Sequence, residues 1–208
     1  VWLTRLDQVT QSKILSVLHA QNQVQMGIQF GRTVIEDWGG FLLGLWGSVE
    51  RILNVSLIQL ARETRGIEMP AYFVRYHPNF DKAQSTILIQ NRKFNLNGRF
   101  KNSALGGELA MFMLGKGREV CEFLWKDDAE AQFQDQLRSI SARHGIEPAA
   151  FFERLKHINQ ARNKGCHGQV IDEGTYQAQC DSMLDDTLFP MMLDIRDALN
   201  PPAPPKLQ

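Results

Sequence analysis

The sequence predicts an all-α protein, an up-and-down helical bundle with one long irregular or hairpin insertion. Three observations predict it. Apolar residues recur at three- and four-residue steps through most of the 208-residue chain. Glycine and proline punctuate those runs where helices stop and start. Between residues 71 and 101 the helical period fails and strand-like runs replace it. A composition of 43% hydrophobic and 22% charged residues supports a globular core and excludes disorder, collagen-like repeats and coiled-coil rods.

Residues 3–26 carry Leu3, Leu6, Val9, Ile14, Val17 and Leu18 at loose helical spacing. Residues 35–65 form the clearest amphipathic run, with Leu42, Leu45, Trp46, Val49, Leu53, Leu57 and Leu60 on one face, Gly66 as its stop and Pro70 just beyond. A third helix is expected from about Ser103 to Leu114, closed by Gly115 and Gly117. Two more follow, near Asp127–Arg143 (stopped by Gly145) and Glu147–Lys164, the latter opened by Pro148 at a first-turn position. The last spans about Glu173–Leu199, where Pro190 should kink or split it. In the insertion, Thr86–Ile89 and Lys93–Leu96 read as strands followed by the turn dipeptide Asn97-Gly98. The expected organisation is a helical extension over 1–34, a bundle over 35–199 with its insertion at 71–101, and an extended Pro-rich tail at 200–208. A first residue Val1 and that tail read as the ends of one piece of a longer polypeptide.

Lys+Arg and Asp+Glu number 23 each, so a protein that coats nucleic acid or an anionic membrane with its whole surface is not expected. The charge is nevertheless segregated. Residues 72–102 hold six basic residues against Asp81 alone, while 172–197 hold seven acids against Arg196. Cys121, Cys166 and Cys180 form no CxxC and read as reduced, cytoplasmic thiols. No metal-ligand spacing is present, and no cofactor is expected. The longest uncharged apolar stretch, Trp38–Val49, is too short to span a bilayer, and no secretory signal is seen.

Arg162 is the most informative residue. On a helix over 151–164 it lies about 20° from Phe151 and Leu155 and about 40° from Ile158, so it points with the apolar stripe. A guanidinium there either snorkels at its helix end or finds acceptors in a polar site. In an unbroken helix His167 would stand about 140° round from Arg162; Gly165 is expected to break the helix and bring the imidazole back. Glu50 borders the apolar stripe of its own helix, where it pairs with Arg162, tunes His167 or remains a solvated edge carboxylate. His157 reads as a surface residue and His144 as a helix C-terminal residue complementing the dipole; His19 and His77 carry no motif.

The segment Ala161-Arg162-Asn163-Lys164-Gly165-Cys166-His167-Gly168 resembles the signature of the HEPN superfamily (higher eukaryotes and prokaryotes nucleotide-binding): Arg, four to six residues, then His, commonly with a polar residue after the Arg. The helix bearing Trp46-Gly47-Ser48-Val49-Glu50-Arg51 resembles the earlier helix that often offers a polar or acidic residue to the site. Leu105-Gly106-Gly107-Glu108-Leu109 is similar to the turn that opens a middle helix. The resemblance covers about residues 35–199 and implies a metal-independent endoribonuclease, or a relative that keeps the pocket for binding. It implies His167 as general acid or base, Arg162 as phosphate holder, and Asn163 as a phosphate or positioning contact. Lys164, Glu50 and Ser48 would support them. The partner would be RNA or a nucleotide, and a homodimer would bring two Arg–His sets into one cleft. Such proteins serve as toxins, as antiviral defence effectors or as the nuclease part of longer chains. The competing expectations are a non-catalytic nucleotide- or RNA-binding module and a plain dimerisation domain with a chance motif. In the insertion, Arg75, Arg92, Lys93, Arg99 and Lys101 are interleaved with Tyr72, Phe73, Tyr76, Phe80, Phe94 and Phe100, a pattern that either contacts RNA or anchors the loop.

Overall fold

The computed structural model describes residues 2–31, 36–67, 86–89, 92–96, 100–102, 107–109 and 112–199, and these form an all-α helical bundle with two small hairpins. A 3-10 turn, Trp2–Arg5, leads into α1 (Gln8–Gln29). Asp7 caps α1, accepting from Thr10 N–H at 3.2 Å, and both its oxygens also accept from Arg51 Nε. One carboxylate therefore starts α1 and ties it to the far end of α2 (Gly39–Leu53), with which α1 runs antiparallel. The N-terminal extension is part of the bundle: Leu6, Ile14 and Val17 lie in the common core, and Trp2 stacks on Phe189 at 4.8 Å. Arg5 adds ion pairs to Asp194 and Asp197, each at 2.7 Å.

The long helix expected over 35–65 is present as one rod, Gly39–Glu63, but it is not uniform. Between α2 and α3 (Gln59–Glu63) it loosens into a π turn, Asn54–Ile58. Gly66 closes it with φ +66°, and Ile67 N–H reaches back to the Arg62 carbonyl at 2.9 Å. The rod is long and apolar enough to cross a membrane, yet 67% of its apolar window is buried against protein, the mark of a core helix.

Strands β1 (Thr86–Ile89) and β2 (Arg92–Asn95) pair antiparallel, Thr86 opposite Asn95, as do β3 (Phe100–Asn102) and β4 (Gly107–Leu109). The first hairpin falls on the two strand-like runs expected in the insertion, with Asn97-Gly98 outside the described residues; the second runs past residue 101, where a helix was expected. Arg62, 1% exposed, holds the end of the first: its Nε donates to the Leu96 carbonyl at 2.8 Å. Burial pulls the Arg62 guanidinium down to about 10, which still leaves it a cation at neutral pH.

The helix expected over Ser103–Leu114 is corrected: Gly107–Leu109 is strand, and α4 begins at Leu114 and runs to Lys126. Gly115 and Gly117, the expected stops, lie inside its first turns. A Cβ at Gly117 would stand 2.9 Å from Leu53 Cδ2, and one at Gly115 2.8 Å from the Asn159 amide. These glycines let α4 press against α2 and α6. The turn resemblance at 105–109 falls on this strand, with Leu105 and Gly106 outside the described residues.

The remaining helices are α5 (Ala131–Arg143), α6 (Pro148–Cys166), α7 (Glu173–Leu184) and α8 (Leu188–Ala198). Pro148 occupies the first turn of α6 and Gly145 (φ +63°) ends α5, as the sequence predicts. The last helix is split, but upstream of Pro190. Asp185 leaves the helical conformation, and its Oδ1 accepts from the Thr187 and Leu188 amides, so it starts α8. Pro190 then sits in the first turn, where its missing N–H costs nothing. The tail at 200–208 lies outside the described residues.

Candidate functional site at the end of α6

Helix α6 runs unbroken through Gly165 to Cys166, so the expected break that would return His167 to Arg162 is absent. The reason is packing. A Cβ at Gly165 would stand 2.8 Å from Trp46 Cη2 and 3.5 Å from Ile171 Cγ1, so the glycine admits a buried indole rather than bending the chain. The helix ends one residue later, at Cys166: Gly168 takes φ +76°, and the His167 and Gln169 amides donate to the Lys164 carbonyl. His167 is the C-cap, exposed, and about 140° round the helix from Arg162. Its side chain has no hydrogen-bond partner among the described residues. Asn163 and Lys164 are exposed on the same last turn.

Arg162 is turned inward, 17% exposed, with a terminal guanidinium nitrogen 3.3 Å from Glu50 Oε2. Of the roles open to Glu50, the structure selects the ion pair with Arg162. The same Glu50 oxygen accepts the Leu114 amide at 2.8 Å, capping α4. One turn on, Asn54 accepts from Phe112 N–H at 2.7 Å through Oδ1 and donates to the Phe112 and Glu50 carbonyls through Nδ2, at 2.8 Å each. Thus α2, α4 and α6 converge on a buried polar seam. Ser48 takes no part in it: buried, it donates to the Gly44 carbonyl of its own helix at 2.8 Å.

No protein-family model, curated protein or solved structure matches this chain.

The exit from the motif is held by a clasp. Trp38 N–H donates to the Ile171 carbonyl at 2.9 Å, and Asp37 Oδ1 accepts from Ile171 N–H at 3.0 Å and Gly39 N–H at 2.9 Å. Trp38 packs on Tyr176 with ring centroids 4.8 Å apart, and Trp46 Nε1 donates to Gln179 at 3.4 Å. The Ile171 amide, with that of Gly39, holds the Asp37 carboxyl below the usual carboxylate range. A carboxylate depressed by folding contributes stability above its unfolded value, and loses that contribution as pH falls through its folded value. The Ile171 amide resonance should therefore titrate with Asp37 at a midpoint below about 3.9. A midpoint at or above that value would refute the clasp.

His144 and His157 fall where the sequence places them. His144 caps α5 with Nε2 2.9 Å from Asp194, His157 is exposed 3.4 Å from Glu153, and His19 is exposed. His77 lies outside the described residues, as do Arg75 and Arg99. Arg92 and Lys93 lie on β2 and Lys101 on β3. Cys166 is exposed within the motif; burial pushes the Cys121 and Cys180 thiols up, which leaves both as inert core groups. Among the described residues no cluster of three metal-ligating side chains occurs.

Sequence reasoning missed Asn54 and Asp37 as determinants of the site, and it read Trp46 as one of an apolar face without its contact to Gly165. Of these two, Asn54 carried a signal, an amide within the run 52–58 that only Ser56 otherwise interrupts.

Proposed function

We propose that this chain is a metal-independent endoribonuclease of the HEPN type, acting as a cytoplasmic homodimer. The observation that carries the reading is the last turn of α6, where Asn163, Lys164 and His167 all face solvent immediately after a guanidinium held in place by Glu50. RNA brings its own nucleophile, so the protein need only move protons and stabilise charge. The 2′-hydroxyl loses its proton and attacks phosphorus; the 5′-oxygen takes a proton and leaves. The products are a 2′,3′-cyclic phosphate and a 5′-hydroxyl. One imidazole serves as base and a second as acid, and the second comes from the other protomer's His167. Arg162 and Lys164 offset charge developing on the phosphorane.

A second reading has its own support. The pairing of Arg162 with Glu50, and its separation from His167 around α6, suit a non-catalytic module that binds RNA or a nucleotide. Incubation of labelled RNA with the protein in EDTA separates the two. Under the nuclease reading, cleavage persists in EDTA and falls by at least about 100-fold in both Arg162→Ala and His167→Ala. Cleavage by both variants at the wild-type rate would reject the site. Binding that depends on Arg162 without cleavage would establish the second reading.

A further inference from the structure

Glu50 joins two parts of the molecule through a single oxygen. Its Oε2 accepts the Leu114 amide at 2.8 Å and stands 3.3 Å from Arg162. With Asn54 gripping Phe112 one turn along, the chain entering α4 from the hairpins is held by two side chains on one face of the rod. One of those two also occupies the arginine. The Glu50 and Arg162 side chains are only 14% and 17% exposed, so water screens their attraction weakly. An anion arriving at Arg162 meets the carboxylate as a like charge. Because one oxygen serves both contacts, a shift of it away from the guanidinium also shifts it relative to the Leu114 amide.

We propose that Glu50 is a positioning residue coupling phosphodiester occupancy of Arg162 to the anchorage of α4, each weakening the other. The proposal rests on the reading of Arg162 as a phosphate contact. The coupling is reciprocal by linkage: RNA at Arg162 loosens the start of α4, and whatever draws Phe112–Leu114 from the rod alters the arginine's affinity for RNA. Glu50 is thus a brake on anion binding as well as a support for the arginine.

Gln in place of Glu50 keeps an acceptor for Leu114 and removes the charge; Ala removes both. The test uses a short 2′-O-methyl RNA of mixed sequence, which lacks the nucleophile and is not cut. Its affinity is measured for the wild-type protein, Glu50→Gln, Glu50→Ala and Arg162→Ala, together with hydrogen exchange of the Leu114 amide with and without RNA. Glu50→Gln should bind about tenfold more tightly than wild type, an effect that a merely structural residue would not produce. In the wild type, RNA should speed Leu114 exchange; in Glu50→Ala, exchange should be fast with or without it. Arg162→Ala binding as well as wild type would overturn the phosphate-contact reading and the coupling with it. Binding that depends on Arg162, with no gain in Glu50→Gln or with Leu114 exchange unmoved by RNA, would overturn the coupling alone. The wild-type exchange measurement, read beside the binding of Arg162→Ala, still tests the coupling if both Glu50 variants fail to fold, since exchange unmoved by RNA overturns it.

Discussion

Trp46→Ala should lower the stability of the bundle by about 3–5 kcal/mol, the range for a buried large aromatic. Trp46 is 1% exposed and among the largest fully buried side chains of the core. Its truncation opens a cavity between α2, α6 and α7 and strips Gln179 of the indole donor. The change also acts on the motif, because the indole is the surface against which Gly165 seats. Denaturant unfolding is the measurement: a lower midpoint with unchanged slope gives the loss directly. A loss under about 1 kcal/mol would mean that the indole does not fill the space ascribed to it.

Asn54→Ala is the second large effect, expected at about 2–4 kcal/mol. The side chain is small, so the cost does not come from volume. It comes from the Phe112 amide and carbonyl, whose shared partner is this one side chain. A buried backbone group left without its partner loses water and gains nothing in return. Exchange of the Phe112 amide should rise with the loss of stability, and by more than that of helical amides elsewhere in the core. Equal rises throughout would show global unfolding and no local clamp.

Helix ends were legible where the chemistry is local. Pro148 opens α6, and Gly66 and Gly145 close their helices with positive φ, because a first-turn proline and a left-handed glycine act within their own turn. The inward aim of Arg162 was legible for the same reason, since helical phase alone places it with Phe151 and Leu155. Three other glycines misled. Gly115, Gly117 and Gly165 read as stops or breaks, yet each lies inside a helix and gives room to a neighbour. A glycine in sequence announces a special requirement without saying whether the backbone needs the freedom or a distant side chain needs the space. Trp46, Leu53 and Asn159, which explain Gly165, Gly117 and Gly115 respectively, are all remote in sequence from those glycines. The position of His167 followed that ambiguity, and so did the missed helix α4. Glu50 was legible at the border of its stripe with pairing to Arg162 as one of its open roles, but the choice among them, and the contact with Leu114, depends on three helices meeting, which no single-helix periodicity contains.

The π turn at Asn54–Ile58 has a consequence for matching this chain to others. Such a turn takes in one residue beyond the regular count, and each residue of a regular helix advances about 100°. Numbering across the turn therefore does not preserve the face of the rod. Glu50 and Asn54 address α4 and α6, whereas Arg62, beyond the turn, addresses Leu96 at the hairpin. An alignment of this helix to an uninterrupted one must leave a single residue unmatched here. A gapless alignment would assign Arg62 to the wrong side of the helix and conceal the buried cation that anchors the insertion.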